Sequence, residues 1–195
     1  MNASFDECQN FVLRWEGGLT DDAADSGGLT NFGVSMAYLQ DLARAEPAFV
    51  RSVLGSAVVT RSTIRSLTKA QAAALFRHSF WEPPRCGELP RAVALCVYDM
   101  SVNHGRGNAG RIVQRACNAA LEGLTPLAVD GAIGPLTRAR LQRMETAAGI
   151  RSIAERRRLF YKAIVASKPS QKVFLRGWLN RADAMEKQAL AWLEA

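Results

Sequence analysis

Residues 14–34, RWEGGLTDDAADSGGLTNFGV, gather the residue types that acid-assisted bond cleavage requires. Glu16 follows Trp15 and precedes Gly17-Gly18. A carboxyl at the negative end of a helix is harder to ionise, and a flanking indole adds desolvation, so both effects push Glu16 toward a protonated general acid. Nine residues later comes Asp25, and five further on Thr30, a carboxylate and a hydroxyl able to position a water. Asp21 and Asp22 compete with Asp25 for that role, because sequence does not fix which carboxylate points inward. Cleavage of a glycosidic bond needs this kit: one carboxylic acid kept protonated near neutral pH, and a second group that holds water or stabilises positive charge. The two Gly-Gly pairs leave the backbone bare enough for a bulky sugar to approach. Asp and Gly are also ordinary turn formers, so the residues alone read equally well as a surface turn.

Helices must position this stretch. Ser4 and Glu7 make a capping box, and Phe5, Cys8, Val12 and Trp15 recur at helical spacing, predicting a helix that ends near Glu16 at Gly17-Gly18. From Leu19 to Val34 a short irregular β-hairpin fits better than a helix. Ser35 caps a second helix, and 46–65 fits no single element. Thr68 and Gln71 form another capping box before a helix ending at Trp81, which Glu82-Pro83-Pro84 breaks. Pro90 opens a helix with Val93, Ala94, Val97, Tyr98 and Ser101 on its core face, finishing at Asn103-His104-Gly105. Helices are predicted at 110–121, 136–147, 150–166 and 171–194, with a turn-rich loop at 125–135 and Lys168-Pro169-Ser170 before the last. The chain is mainly α with one small β element, and the lack of strand–helix alternation excludes a parallel sheet.

At 195 residues, one domain or one domain with a small appendix is expected. No stretch of 18 apolar residues is present, so no membrane span is expected. The N-terminus has neither a basic nor an apolar leader region, which predicts synthesis in the cytoplasm without a signal peptide. Cys8, Cys86, Cys96 and Cys117 show no metal-like spacing, and buried thiols without metal or cofactor are expected. His78 and His104 read as structural or surface residues. Residues 1–100 hold 9 Lys/Arg against 11 Asp/Glu, a balance of −2; residues 101–195 hold 16 against 7, a balance of +9. A basic second half suits an anionic partner, or simply solvates amphipathic helices. No nucleic-acid motif accompanies the charge, so a nucleic-acid binder ranks last.

Glu16-Gly17-Gly18 followed by Asp25-Ser26-Gly27-Gly28-Leu29-Thr30-Asn31-Phe32-Gly33-Val34 resembles, without a gap, the EGG and D-x-GG-x-T-x-x-G-[IV] signature of glycoside hydrolase family 108, a group of bacterial and phage N-acetylmuramidases. Asp99-Met100-Ser101-Val102-Asn103-His104-Gly105 is similar to the family's D-x-x-V-N-x-G helix end. Asp130-Gly131-Ala132-Ile133-Gly134-Pro135-Leu136-Thr137 resembles the DG-x-x-GP-x-T turn of small peptidoglycan-binding domains, with Val113-Gln114 on the preceding helix. Arg157-Arg158-Leu159-Phe160-Tyr161 and Phe174 to Arg181 complete a match spanning nearly the whole chain. Ser26 replaces a common proline, which loosens that turn, and Val113 replaces a common leucine.

The resemblance implies a lysozyme-like α+β fold with a small β-hairpin at the active site, a catalytic region at 1–105 and a helical peptidoglycan-binding-like region at 106–195 packed on it. It makes Glu16 the general acid, with Asp25 and Thr30 the next catalytic candidates. Tyr98, Asp99, Asn103 and Trp81 become candidate substrate contacts, although single aromatics beside helices are more often core, and for Asp99 and Asn103 tying the helix end to a neighbouring loop is the slightly favoured reading. The expected reaction is hydrolysis of the β-1,4 bond between N-acetylmuramic acid and N-acetylglucosamine, with inversion favoured by analogy with phage-type lysozymes. Two rivals stay open: a lytic transglycosylase, which closes a 1,6-anhydro ring, and a non-catalytic wall-binding or secretion-assisting protein. The expected partner is the peptidoglycan glycan strand, reached by a monomer in the periplasm after holin-type release or dedicated secretion. An immunity protein joins it in the secreted case.

Overall fold

The computed structural model describes residues 4–15 and 29–194. It resolves into two compact units, Met1–Cys8 with Phe80–Ala195, and Gln9–Ser79. Helix α1, Phe5–Leu13, contributes residues to both. It ends at Leu13, three residues before Glu16, and i→i−3 bonds tighten its exit: Arg14 N to Phe11 O at 3.2 Å and Trp15 N to Val12 O at 2.9 Å.

In the Gln9–Ser79 unit, strands β1 (Thr30–Asn31) and β2 (Val34–Ser35) pair antiparallel, Thr30 opposite Ser35 and Asn31 opposite Val34. Phe32 and Gly33 turn the chain with φ of 49° and 78°. Positive φ at both central residues marks the tight turn whose twist matches paired strands. Gly33 takes it freely, whereas Phe32 is held there against its own preference. The described hairpin is therefore two residues deep.

Ser35 Oγ accepts from Tyr38 N at 3.2 Å and starts α2, Met36–Ala45. Two short helices occupy the stretch whose pattern fitted no single element: α3, Pro47–Leu54, with proline at its start, and α4, Arg61–Arg65, capped by Thr60. The Thr68–Gln71 capping box begins α5, Lys69–Phe76, as its spacing predicted. A π-helical turn, Arg77–Trp81, then ends the segment.

The other unit is built around α6, Arg91–His104, in which every residue from Ala92 to Ser101 is buried. A helix apolar on all sides belongs inside a core, and α7 (Arg106–Ala120), α9 (Ala147–Ser167) and α10 (Lys172–Leu193) surround it. Helix α8, Pro135–Gln142, packs on α7 and is shorter than its sequence pattern suggested. The compact units divide between Ser79 and Phe80, and α6 is enclosed by helices from the second half of the chain.

The Asp130–Thr137 turn is a clasp on α7. Gln114 donates from Nε2 to Asp130 Oδ1 at 2.7 Å and Ala132 O at 3.0 Å, and its Oε1 accepts from Gly131 N at 2.9 Å. Gly110 and Gly131 let the two backbones touch, since a Cβ on Gly110 would lie 2.0 Å from Gly131 O. All four cysteines are buried free thiols, and burial holds Cys117 up to about 11. Among the described residues no helix is long and apolar enough to cross a membrane, and no three His, Cys, Asp or Glu side chains cluster as metal ligands.

Candidate active site

Glu16, Asp25 and the rival carboxylates Asp21 and Asp22 lie outside the described residues. Thr30, the third catalytic candidate, occupies β1 and is partly exposed. The strand beneath it is fixed by Asn31, which is buried and donates from Nδ2 to Ile64 O at 3.0 Å, joining the hairpin to the end of α4. On the other side Leu29 is buried and its carbonyl accepts from Met36 N at 2.9 Å. Thr30 thus stands on a short strand pinned on both sides, beside a turn that carries Phe32 at positive φ. Residues held in sparsely populated backbone regions persist only where their surroundings enforce them.

The four candidate substrate contacts belong to the α6 unit, and the structure sorts them into two buried clusters. Tyr98 is fully buried and Trp81 is 4% exposed. Their rings meet edge to face at 5.4 Å, and both meet Phe5 the same way, at 5.7 Å and 5.5 Å. Neither ring presents a face to a sugar in this structure, which corrects the stacking role carried to them: three mutually perpendicular rings form a core contact.

Asp99 is likewise enclosed rather than open to substrate. Its Oδ2 accepts from Arg157 Nη1 at 2.5 Å, and its Oδ1 accepts from Arg181 Nε and Nη2 at 2.9 Å and 2.8 Å. Burial alone pushes the carboxyl up, but the two guanidiniums outweigh it and hold Asp99 below the usual carboxylate range. Asn103, one turn along α6, accepts from Tyr161 OH at 2.8 Å, and that hydroxyl accepts from Arg157 Nε at 3.0 Å. Two residues four apart on α6 are therefore tied to two residues four apart on α9, with Arg181 of α10 closing the group. Here the motif around Asp99 and Asn103 is the joint between three helices.

His104 closes α6 against the rings of Phe160 and Tyr161, at 5.1 Å and 5.0 Å. Desolvation, helped by Arg157, pushes its imidazole down to about 3, so it stays neutral in ordinary buffers.

Arg157, Tyr161 and Arg181, the residues that fix Asp99, carry no signal in local sequence that pairs them with it. Arg157 and Arg181 lie 58 and 82 residues away. The available clue was two arginines inside helical patterns with too few nearby acids to pair them all.

Comparison with known proteins places this geometry. The family model described as glycosyl hydrolase 108 matches residues 9–105, and the predicted peptidoglycan domain matches residues 108–183. Among solved structures the chain is similar to Brucella abortus SagA, with 25% identity and a TM-score of 0.74 over 98% of this chain and 96% of that one. No curated protein matches the chain. The first matched segment contains Glu16-Gly17-Gly18, Asp25 and Thr30 and runs to the end of α6, and the second contains the Gln114–Asp130 clasp and Arg157. The fold is mainly α and lysozyme-like, and the chain belongs to the glycosyl hydrolase 108 family, as a glycosidase that acts on peptidoglycan.

Proposed function

We propose that the protein is an N-acetylmuramidase that hydrolyses the β-1,4 bond between N-acetylmuramic acid and N-acetylglucosamine. Glu16 protonates the leaving oxygen, while Asp25 and Thr30 hold the water that attacks the anomeric carbon. The observation that carries this reading is the unbroken run of all three residues inside the glycosyl hydrolase segment. The pinned hairpin supports it further, since a hydroxyl on a rigid strand can hold a water where a hydroxyl on a loose loop cannot. Inversion of configuration is part of the proposal, as is action on the wall as a monomer.

Product analysis tests it. Digestion of purified peptidoglycan is expected to release fragments with hydrated reducing ends, read by mass spectrometry. Fragments lighter by one water, with 1,6-anhydro ends, would instead assign a lytic transglycosylase. NMR of fresh product checks inversion through the anomer formed first.

A further inference from the structure

The hairpin sorts its side chains by face. Asn31 and Val34 stand opposite one another, and both are buried. Thr30 and Ser35, the other opposed pair, are both partly exposed. Side chains alternate along a strand, so Phe32, two residues beyond Thr30, returns to Thr30's outward face. On that face the Ser35 oxygen is engaged by Tyr38 N at the start of α2. Phe32 is partly exposed, and among the described residues its ring stacks on no other ring.

The backbone makes an aromatic at this position unfavourable. Phe32 and Gly33 are the two central residues of the turn, with φ of 49° and 78°, and the pair that suits such a turn is Asn-Gly. Gly33 meets that preference. A bulky side chain at positive φ does not, because its Cβ crowds the following carbonyl. Asn in place of Phe32 would close the same hairpin with less strain, and Asn31 and Val34 already supply its buried face. Strain of this kind gathers at active sites and ligand clamps, where a contact outside the fold needs the side chain.

Position supplies the occupant. At the rise of an extended strand, Phe32 lies about 7 Å from Thr30 on the same face. A glycan placed with one sugar at the Thr30 hydroxyl therefore brings the adjoining sugar to the Phe32 ring. Trp81 and Tyr98 offer no such platform, since their rings are spent on each other and on Phe5.

We propose that Phe32 is a substrate-contact residue whose ring lies against the apolar face of the sugar adjoining the scissile bond. Aromatic side chains line carbohydrate-sized pockets because they bury apolar surface in a fixed plane. This assignment rests on the muramidase reading given above, and adds to it the residue that seats the glycan beside Thr30.

The test compares wild type, Phe32→Asn and Phe32→Tyr on soluble N-acetylmuramic acid–N-acetylglucosamine oligomers, with melting temperatures measured alongside. Phe32→Asn is expected to melt about 2–4 °C higher while its kcat/KM falls about fivefold to tenfold, the change lying in KM. Phe32→Tyr is expected to recover the lost affinity. A purely structural Phe32 would not yield a more stable protein that binds its substrate less well. Wild-type KM in Phe32→Asn overturns the contact, and so does a KM as poor in Phe32→Tyr as in Phe32→Asn. A lower melting temperature in Phe32→Asn overturns it as well, because the ring would then be a packing residue. A fall in kcat at unchanged KM overturns it in favour of a residue that only steadies Thr30. If the wild type cleaves no oligomer, the muramidase reading fails by itself. Calorimetry of oligomer binding then decides the contact, and equal affinity of wild type and Phe32→Asn overturns it.

Discussion

Arg157 Nη1 donates to Asp99 Oδ2 at 2.5 Å with both side chains wholly buried, and Arg181 takes the carboxylate's other oxygen. One negative charge is thereby shared between two positive ones inside the α6 unit. A buried ion group of this kind contributes little against an apolar replacement, but removing one member strands the others at high cost.

Asp99→Ala is therefore expected to destabilise the protein by about 3–5 kcal/mol, measured by urea unfolding. Replacing Asp99, Arg157 and Arg181 together with apolar residues of similar size is expected to recover most of that loss. Equal destabilisation by the single and triple changes would contradict the account.

The buried imidazole of His104 gives a pH signature. Its folded value is about 3 against an ordinary 6.5, so between those values the unfolded chain takes up a proton that the folded chain excludes. Stability is then greatest above pH 6.5 and falls as pH drops, with this residue's contribution to the slope approaching about 1.4 kcal/mol per pH unit. Unfolding between pH 7 and 5.5 checks it: His104→Phe is expected to flatten the slope there, and an unchanged slope would count against the burial of His104.

Contact between Gly110 and Gly131 makes the α7 clasp intolerant of a side chain. Gly110→Ala forces a carbon to within 2.0 Å of a carbonyl oxygen, with an expected loss of about 3 kcal/mol. Thermal unfolding measures it, and a neutral result would mean the two backbones do not meet.

Thr30→Val keeps the size of the side chain and removes its hydroxyl. In the proposed mechanism peptidoglycan cleavage falls by about 10²-fold, as expected when a reacting water is misplaced, with the unfolding midpoint nearly unchanged. Wild-type rates in the variant would limit Thr30 to its place in the strand.

Much of this fold could be read from local patterns. Ser35, Thr68 and Pro90 begin helices where their chemistry said they should, because caps and proline act on their own backbone neighbours. The Asp130–Thr137 turn was equally legible, since Gly and Pro specify backbone geometry directly. The roles of Tyr98, Trp81 and Asp99 were not. An aromatic beside a helix end looks the same whether it faces a cleft or a core, and three-way ring packing among Phe5, Trp81 and Tyr98 unites residues far apart in sequence. Asp99 invited a substrate role because its partners, Arg157 and Arg181, arrive from two later helices.

The most direct measurement compares wild type with Glu16→Gln on purified peptidoglycan, following turbidity and the reducing ends released. The account predicts clearing by the wild type with hydrated reducing ends and a loss of at least about 10²-fold in the variant, at matched thermal stability. Clearing by Glu16→Gln at the wild-type rate would contradict the assignment of the acid, and no clearing by the wild type would contradict the muramidase itself.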